Sequence, residues 1–119
     1  MFIDWFTPGY KAGGPVRSCL NLIEHLKSEF NFHVITSDTD YGETEPYKNI
    51  AAHSWNVLEE GVNVYYFSKE QISFSSIRQV LSQIKEVHKY YLNGIFSYHF
   101  TRLPLIILKG SLIIILLSR

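Results

Sequence analysis

Three short runs constrain what this chain can fold into: "FHVITS" at 32–37, "NVYYFS" at 63–68 and "SLIIILL" at 111–117. Each is β-branched or aromatic and nearly continuously apolar, the pattern of strands covered on both faces. Between them the apolar period changes to three and four residues. Val16, Cys19, Leu20, Ile23, Leu26 and Phe30 draw a stripe down a helix expected over 15–29, and Phe74, Ile77, Val80, Leu81, Ile84 and Val87 draw a second. Pro15 suits a first helical turn, where no amide partner is lost, and Ser73, Ser75 and Ser76 offer caps for the second helix. "MFIDWF" at 1–6 reads as a short first strand, "LPLIILK" at 103–109 as helical, and the segment from Asp38 to Asn49 as a polar loop. Strands alternating with helices imply parallel βαβ units. The expected fold is therefore α/β, an open, doubly wound, mainly parallel sheet with helices on both faces.

At 119 residues the chain is expected to be one domain, 1–119, able to bury a core. Charged residues make up only 18% and hydrophobic ones 46%, which excludes a disordered chain. The formal net charge is zero, removing the simplest electrostatic case for a nucleic-acid partner. The charges are uneven: residues 1–77 carry five Lys/Arg against ten Asp/Glu, and residues 78–119 carry six against the single acid Glu86. A basic face and ordinary solvated surface both fit that asymmetry. The one cysteine, Cys19, cannot close an internal disulfide and falls on the apolar stripe, as a small core residue would. No basic segment followed by an apolar one opens the sequence, so a cytoplasmic location is expected. The apolar stretch 103–117 is split by Lys109 and Gly110, and neither half reaches the roughly 20 residues a membrane span needs.

"FTPGYKAGGPVRS" at 6–18 joins the first strand to the first helix, and its composition is unusual. In an open α/β sheet ligands bind beyond the carboxyl ends of the strands, at such loops. Gly13 and Gly14 let backbone amides approach a bound group, the helix beginning at Pro15 adds its positive end, and Lys11 and Arg17 carry charge. An anion such as a phosphate fits; so does a plain turn. The spacing matches neither the Walker pattern nor the dinucleotide fingerprint, so Asp38, placed where a ribose-binding acid would lie, lacks its companion motif. No metal-ligand spacing is present.

The segments "WFTPGYKAGGPVRSCLNLIEHL", "FNFHVITSDTDYGETEPY" and "YLNGIFSYHFTRLPL", in that order, resemble the N-terminal half of bacterial glycosyltransferases of the family-4 kind, which have the GT-B architecture. The resemblance runs from residue 4 to about residue 108. It implies a Rossmann-like, acceptor-side domain of a retaining enzyme of polysaccharide biosynthesis. Such an enzyme transfers a sugar from a nucleotide-sugar co-substrate to a glycan or lipid-linked acceptor. It needs no other cofactor and no metal. It implies that Gly13 and Gly14 face the donor diphosphate and its sugar, with Arg17 and Lys11 beside them, and that Asn93, Phe96 and Ser97 line the acceptor cleft. His99 lies near that motif but off its histidine position, and His25, His33, His53 and His88 are expected at the surface or in the core. The family's donor-binding domain, with its glutamate motif, is not within these residues. The chain alone is therefore expected to be nearly silent, with a separately encoded C-terminal domain as one partner and peripheral association with the inner membrane face as a further expectation. The alternative reading is a non-enzymatic Rossmann- or flavodoxin-like domain that binds a phosphorylated ligand or a partner protein.

Overall fold

The computed structural model describes residues 1–84, 89–93, 104 and 113–116, with Asn93 and 113–116 described by backbone alone. It is a small α/β protein. In chain order the elements are α1 (Gly14–Leu26), β1 (Phe32–Ser37), β2 (Trp55–Glu59), β3 (Val62–Phe67), a 3-10 turn (Lys69–Gln71), α2 (Phe74–Ser82), β4 (Tyr90–Asn93) and β5 (Ile113–Leu116).

β1 and β3 pair in parallel from Phe32↔Val62 to Ser37↔Phe67, and β2 lies antiparallel on the far side of β3, giving a mixed three-stranded sheet. β4 and β5 form a parallel pair, Tyr90↔Ile113 to Asn93↔Leu116. The N-terminal residues connect the two groups, because Phe2 bridges Ile35 on one side and Leu92 on the other, both in parallel. Phe2 N–H donates to Tyr91 O at 2.8 Å, and Ile35 N–H donates to Met1 O at 2.8 Å. The strand expected over 1–6 is thus reduced to this bridge. Past Ile3 the pairing loosens, and the Asp4 carbonyl accepts Ser37 N–H at 3.4 Å and the Ser37 hydroxyl at 2.6 Å.

Side chains alternate across the strands and sort into two cores. Ile3, Val34, Val62, Val64 and Tyr66 pack with Cys19 and Ile23 of α1. Phe2, Ile35, Tyr65, Phe67 and Leu92 pack with Ile77 and Val80 of α2. The two helices therefore cover opposite faces. Burying each such aliphatic or aromatic side chain stabilises the fold by about 1.5–3 kcal/mol.

Helix α1 begins one residue before the expected Pro15 and ends at Leu26 rather than 29, where Phe30 N–H still closes on Leu26 O at 3.0 Å. Helix α2 starts after Ser73, whose hydroxyl accepts Ser76 N–H at 3.1 Å while Ser76 Oγ accepts Ser73 N–H at 2.8 Å. Val87, the last position of its stripe, lies outside the described residues, as does the helix expected at 103–109 apart from Pro104, which is helical.

Candidate functional site

Because β1, β3, β4 and the N-terminal bridge run in parallel, the residues that follow them share one edge. These are Asp4 and Trp5, Asp38 and Ser68, with Asn93 at the end of β4 on the same edge. The loop from Trp5 to Gly13 leaves this edge and returns to α1, held from three directions. Tyr66 of β3 donates its hydroxyl to Thr7 O at 2.6 Å, Tyr47 donates to Phe6 O at 3.2 Å, and Gly9 N–H closes a turn on Phe6 O at 2.9 Å. Besides the two tyrosines, the hold from outside the loop is Asp40, whose carboxylate accepts the N–H groups of Tyr10 (3.2 Å), Lys11 (3.3 Å) and Tyr41 (2.7 Å). A Cβ at Gly9 would run into the Tyr47 hydroxyl and stand 2.8 Å from Asp40 Oδ1, so this glycine is required by close approach.

Gly13 and Gly14 face open space: beyond their own chain neighbours and helix backbone, no heavy atom of the described residues lies within 4 Å of where either Cβ would be. Gly13 has φ 70 and ψ −111 and caps α1 without a side-chain hydrogen bond; its N–H is taken by Tyr10 O at 3.1 Å. The Gly14 and Val16 amides are first-turn groups with no carbonyl of their own helix to bind. Together with the exposed Arg17, they form a small electropositive helix end. Lys11 is set apart from these three. Its ammonium pairs with Glu43, and it lines a groove of about 560 Å³ with Tyr10, Glu45, Tyr47, Lys48 and Tyr66, a lining that does not include Gly13, Gly14 or Arg17. The structure thus brings Gly13, Gly14 and Arg17 together and turns Lys11 toward Glu43. Asn93 ends β4, so its backbone reaches the same edge, whereas Phe96, Ser97, His88 and His99 lie outside the described residues.

Asp38, at the end of β1, is 4% exposed, and burial holds its carboxyl above the usual range against the smaller opposing pull of its own backbone N–H. Nearby, His53 Nε2 lies 3.1 Å from Ser68 Oγ, and His53 itself adopts a left-handed backbone at φ 58. Trp5 Nε1 is buried with no hydrogen-bond partner among the described residues, and its ring meets Tyr41 edge-on at 4.9 Å beneath Lys69 Nζ. His25 binds its own helix at Asn21 O, and His33 packs edge-on against Trp55 at 5.3 Å, with burial lowering its pKa.

Sequence reasoning did not single out Asp40, Tyr47 or Gly9 as parts of this arrangement. Their signal was available only as two polar loops whose pairing cannot be read from local spacing. Among the described residues no group of three His, Cys, Asp or Glu is placed to hold a metal, and no helix is long and apolar enough to cross a membrane. Comparison with protein-family models, with curated proteins and with solved structures finds no match.

Proposed function

We propose that this chain is the acceptor-side half of a GT-B sugar transferase, a doubly wound Rossmann-like domain whose partner half would bind a nucleotide-sugar donor. The observation that carries this reading is the double bridge at Phe2. It gives the order β2, β3, β1, residues 1–3, β4, β5, in which the chain moves outward one way from its first segment and later the other way. Helices on opposite faces accompany that reversal, as right-handed crossovers in two directions require. The crevice of such a sheet opens where the order reverses, which here is between the loop after Ile3 and the end of β4 at Asn93. That loop carries "PGYKAGGP", and Leu92 and Asn93 open "LNGIFS", the motifs that resemble family-4 glycosyltransferases.

In this reading the Gly14 and Val16 amides and the Arg17 guanidinium meet the donor's diphosphate as negative charge gathers on it during transfer. The donor half would hold most of that charge. Asn93, Phe96 and Ser97 would border the glycan or lipid-linked acceptor, and no metal is assigned to these residues.

An NMR titration of the ¹⁵N-labelled chain with UDP-glucose, GDP-mannose and inorganic pyrophosphate tests the reading. Saturable shifts at Gly14, Val16 and Arg17, stronger for a sugar nucleotide than for pyrophosphate, are the expected result. Silence at these amides at millimolar ligand would defeat it. Equal response to any phosphorylated compound, without dependence on the sugar, would favour the non-enzymatic binding domain.

A further inference from the structure

Asp40 is 8% exposed, and it links the end of β1 to the start of α1 through an unbroken series of hydrogen bonds. Its carboxylate accepts Tyr10 N–H, the Tyr10 carbonyl accepts Gly13 N–H at 3.1 Å, and the Gly13 carbonyl accepts Arg17 N–H at 3.2 Å. Lys11 N–H and Tyr41 N–H share the same carboxylate, so one side chain satisfies three main-chain donors drawn from two loops. Charge-assisted bonds of this kind are about twice as strong as neutral ones. Gly9 permits the approach, since any side chain there would occupy the space between Asp40 and Tyr47.

We infer that Asp40 is a positioning residue: it fixes the direction in which the N-terminus of α1 and the open Gly13–Gly14 face present themselves. Its part in ligand binding rests on the function proposed above; the mechanical relay does not. With no side chain capping α1 at Gly13, the main-chain bonds that lead back to this carboxylate add direction to a helix end otherwise held by the packing of Val16 and Cys19. The neighbouring Lys11–Glu43 pair lies at the exposed surface, and ion pairs so placed contribute little.

Hydrogen exchange followed by NMR, on the whole chain and on Asp40→Asn, separates the possibilities. The variant keeps the side chain's size and one acceptor oxygen but loses the charge. The Tyr10, Lys11 and Gly13 amides should exchange roughly tenfold faster or more, while Val34 and Val64 in the sheet keep their rates. Pyrophosphate-induced shifts at Gly14 and Arg17 should need several times more ligand to reach the same size. Unchanged exchange at Tyr10 and Gly13 overturns the inference. So does acceleration throughout the sheet, which would make Asp40 a fold-wide support, and so does equal loosening in Glu43→Gln, which would assign the hold to the ion pair. If the loop loosens in Asp40→Asn but the unsubstituted chain ignores UDP-glucose, GDP-mannose and pyrophosphate alike, the relay stands and the proposed function falls. Should the variant bind pyrophosphate as well as the parent despite a loosened loop, the positioning role falls.

Discussion

At Gly13 the backbone combines φ 70 with ψ −111, a conformation that a residue with a Cβ avoids, and no described residue would make a new contact with a Cβ there. Gly13→Ala should therefore lower unfolding stability by about 1–3 kcal/mol in a denaturant titration. Gly14→Ala should change it by less than about 1 kcal/mol, since its only local obstacle is the ring of Pro15, which disfavours helical geometry just before it. The glycine pair thus has a backbone reason at one position and a weaker one at the other, and only at Gly14 can ligand binding be probed without disturbing the fold.

Asp38 offers a second test with a defined sign. Its folded pKa is raised above 3.8 by burial, so the protonated form is favoured on folding. The stability linked to this group is full below the unfolded value and is lost as pH rises through the folded one. Asp38→Asn should accordingly raise the Tm near pH 7, and the gain should vanish as the pH falls toward about 3, below the ordinary carboxyl pKa. A gain that is flat with pH, measured by calorimetry, would assign it to packing instead.

The elements show which sequence signals suffice. β1 occupies the expected residues 32–37, and β3 differs from the expected strand by one position at each end, because long β-branched runs leave little alternative once both faces are covered. The start of α2 was legible from its serines, and the capping box explains why Ser73 is the cap. Ser73→Ala should cost about 1 kcal/mol and can be read from the shift in midpoint at unchanged m-value. β2 was not foreseen. Trp55–Glu59 has three exposed residues and a register shift between Val57 and Glu59, so its apolar pattern is weak. The signal that could have revealed it is the Glu60-Gly61 pair, a two-residue hairpin with Gly61 at φ 82, directly before the strongest strand. The candidate site was legible only in part, for a related reason. Glycines and a helix start are local features, whereas the hold on the loop by Asp40 and Tyr47 joins segments about 30 to 40 residues apart and leaves no trace in periodicity.

Over the whole molecule, the sheet is assembled from pairings of very different reach. β2 and β3 are joined by two residues, while the N-terminal segment pairs with β4 at Tyr91, from one end of the chain to near the other. Hairpins close in about 1–10 μs, and distant pairings must first overcome the entropy of closing the intervening chain. Pulse-labelled exchange during refolding should find Val62–Phe67 amides protected before that of Phe2, and the reverse order would refute this sequence of events. The loop that carries Gly13 and Gly14 is strung between that late-docking segment and α1. A nascent or partly unfolded molecule would then possess its β2–β3 scaffold long before the edge proposed to meet a ligand is in place, so any recognition there would be a late report that the entire sheet has closed.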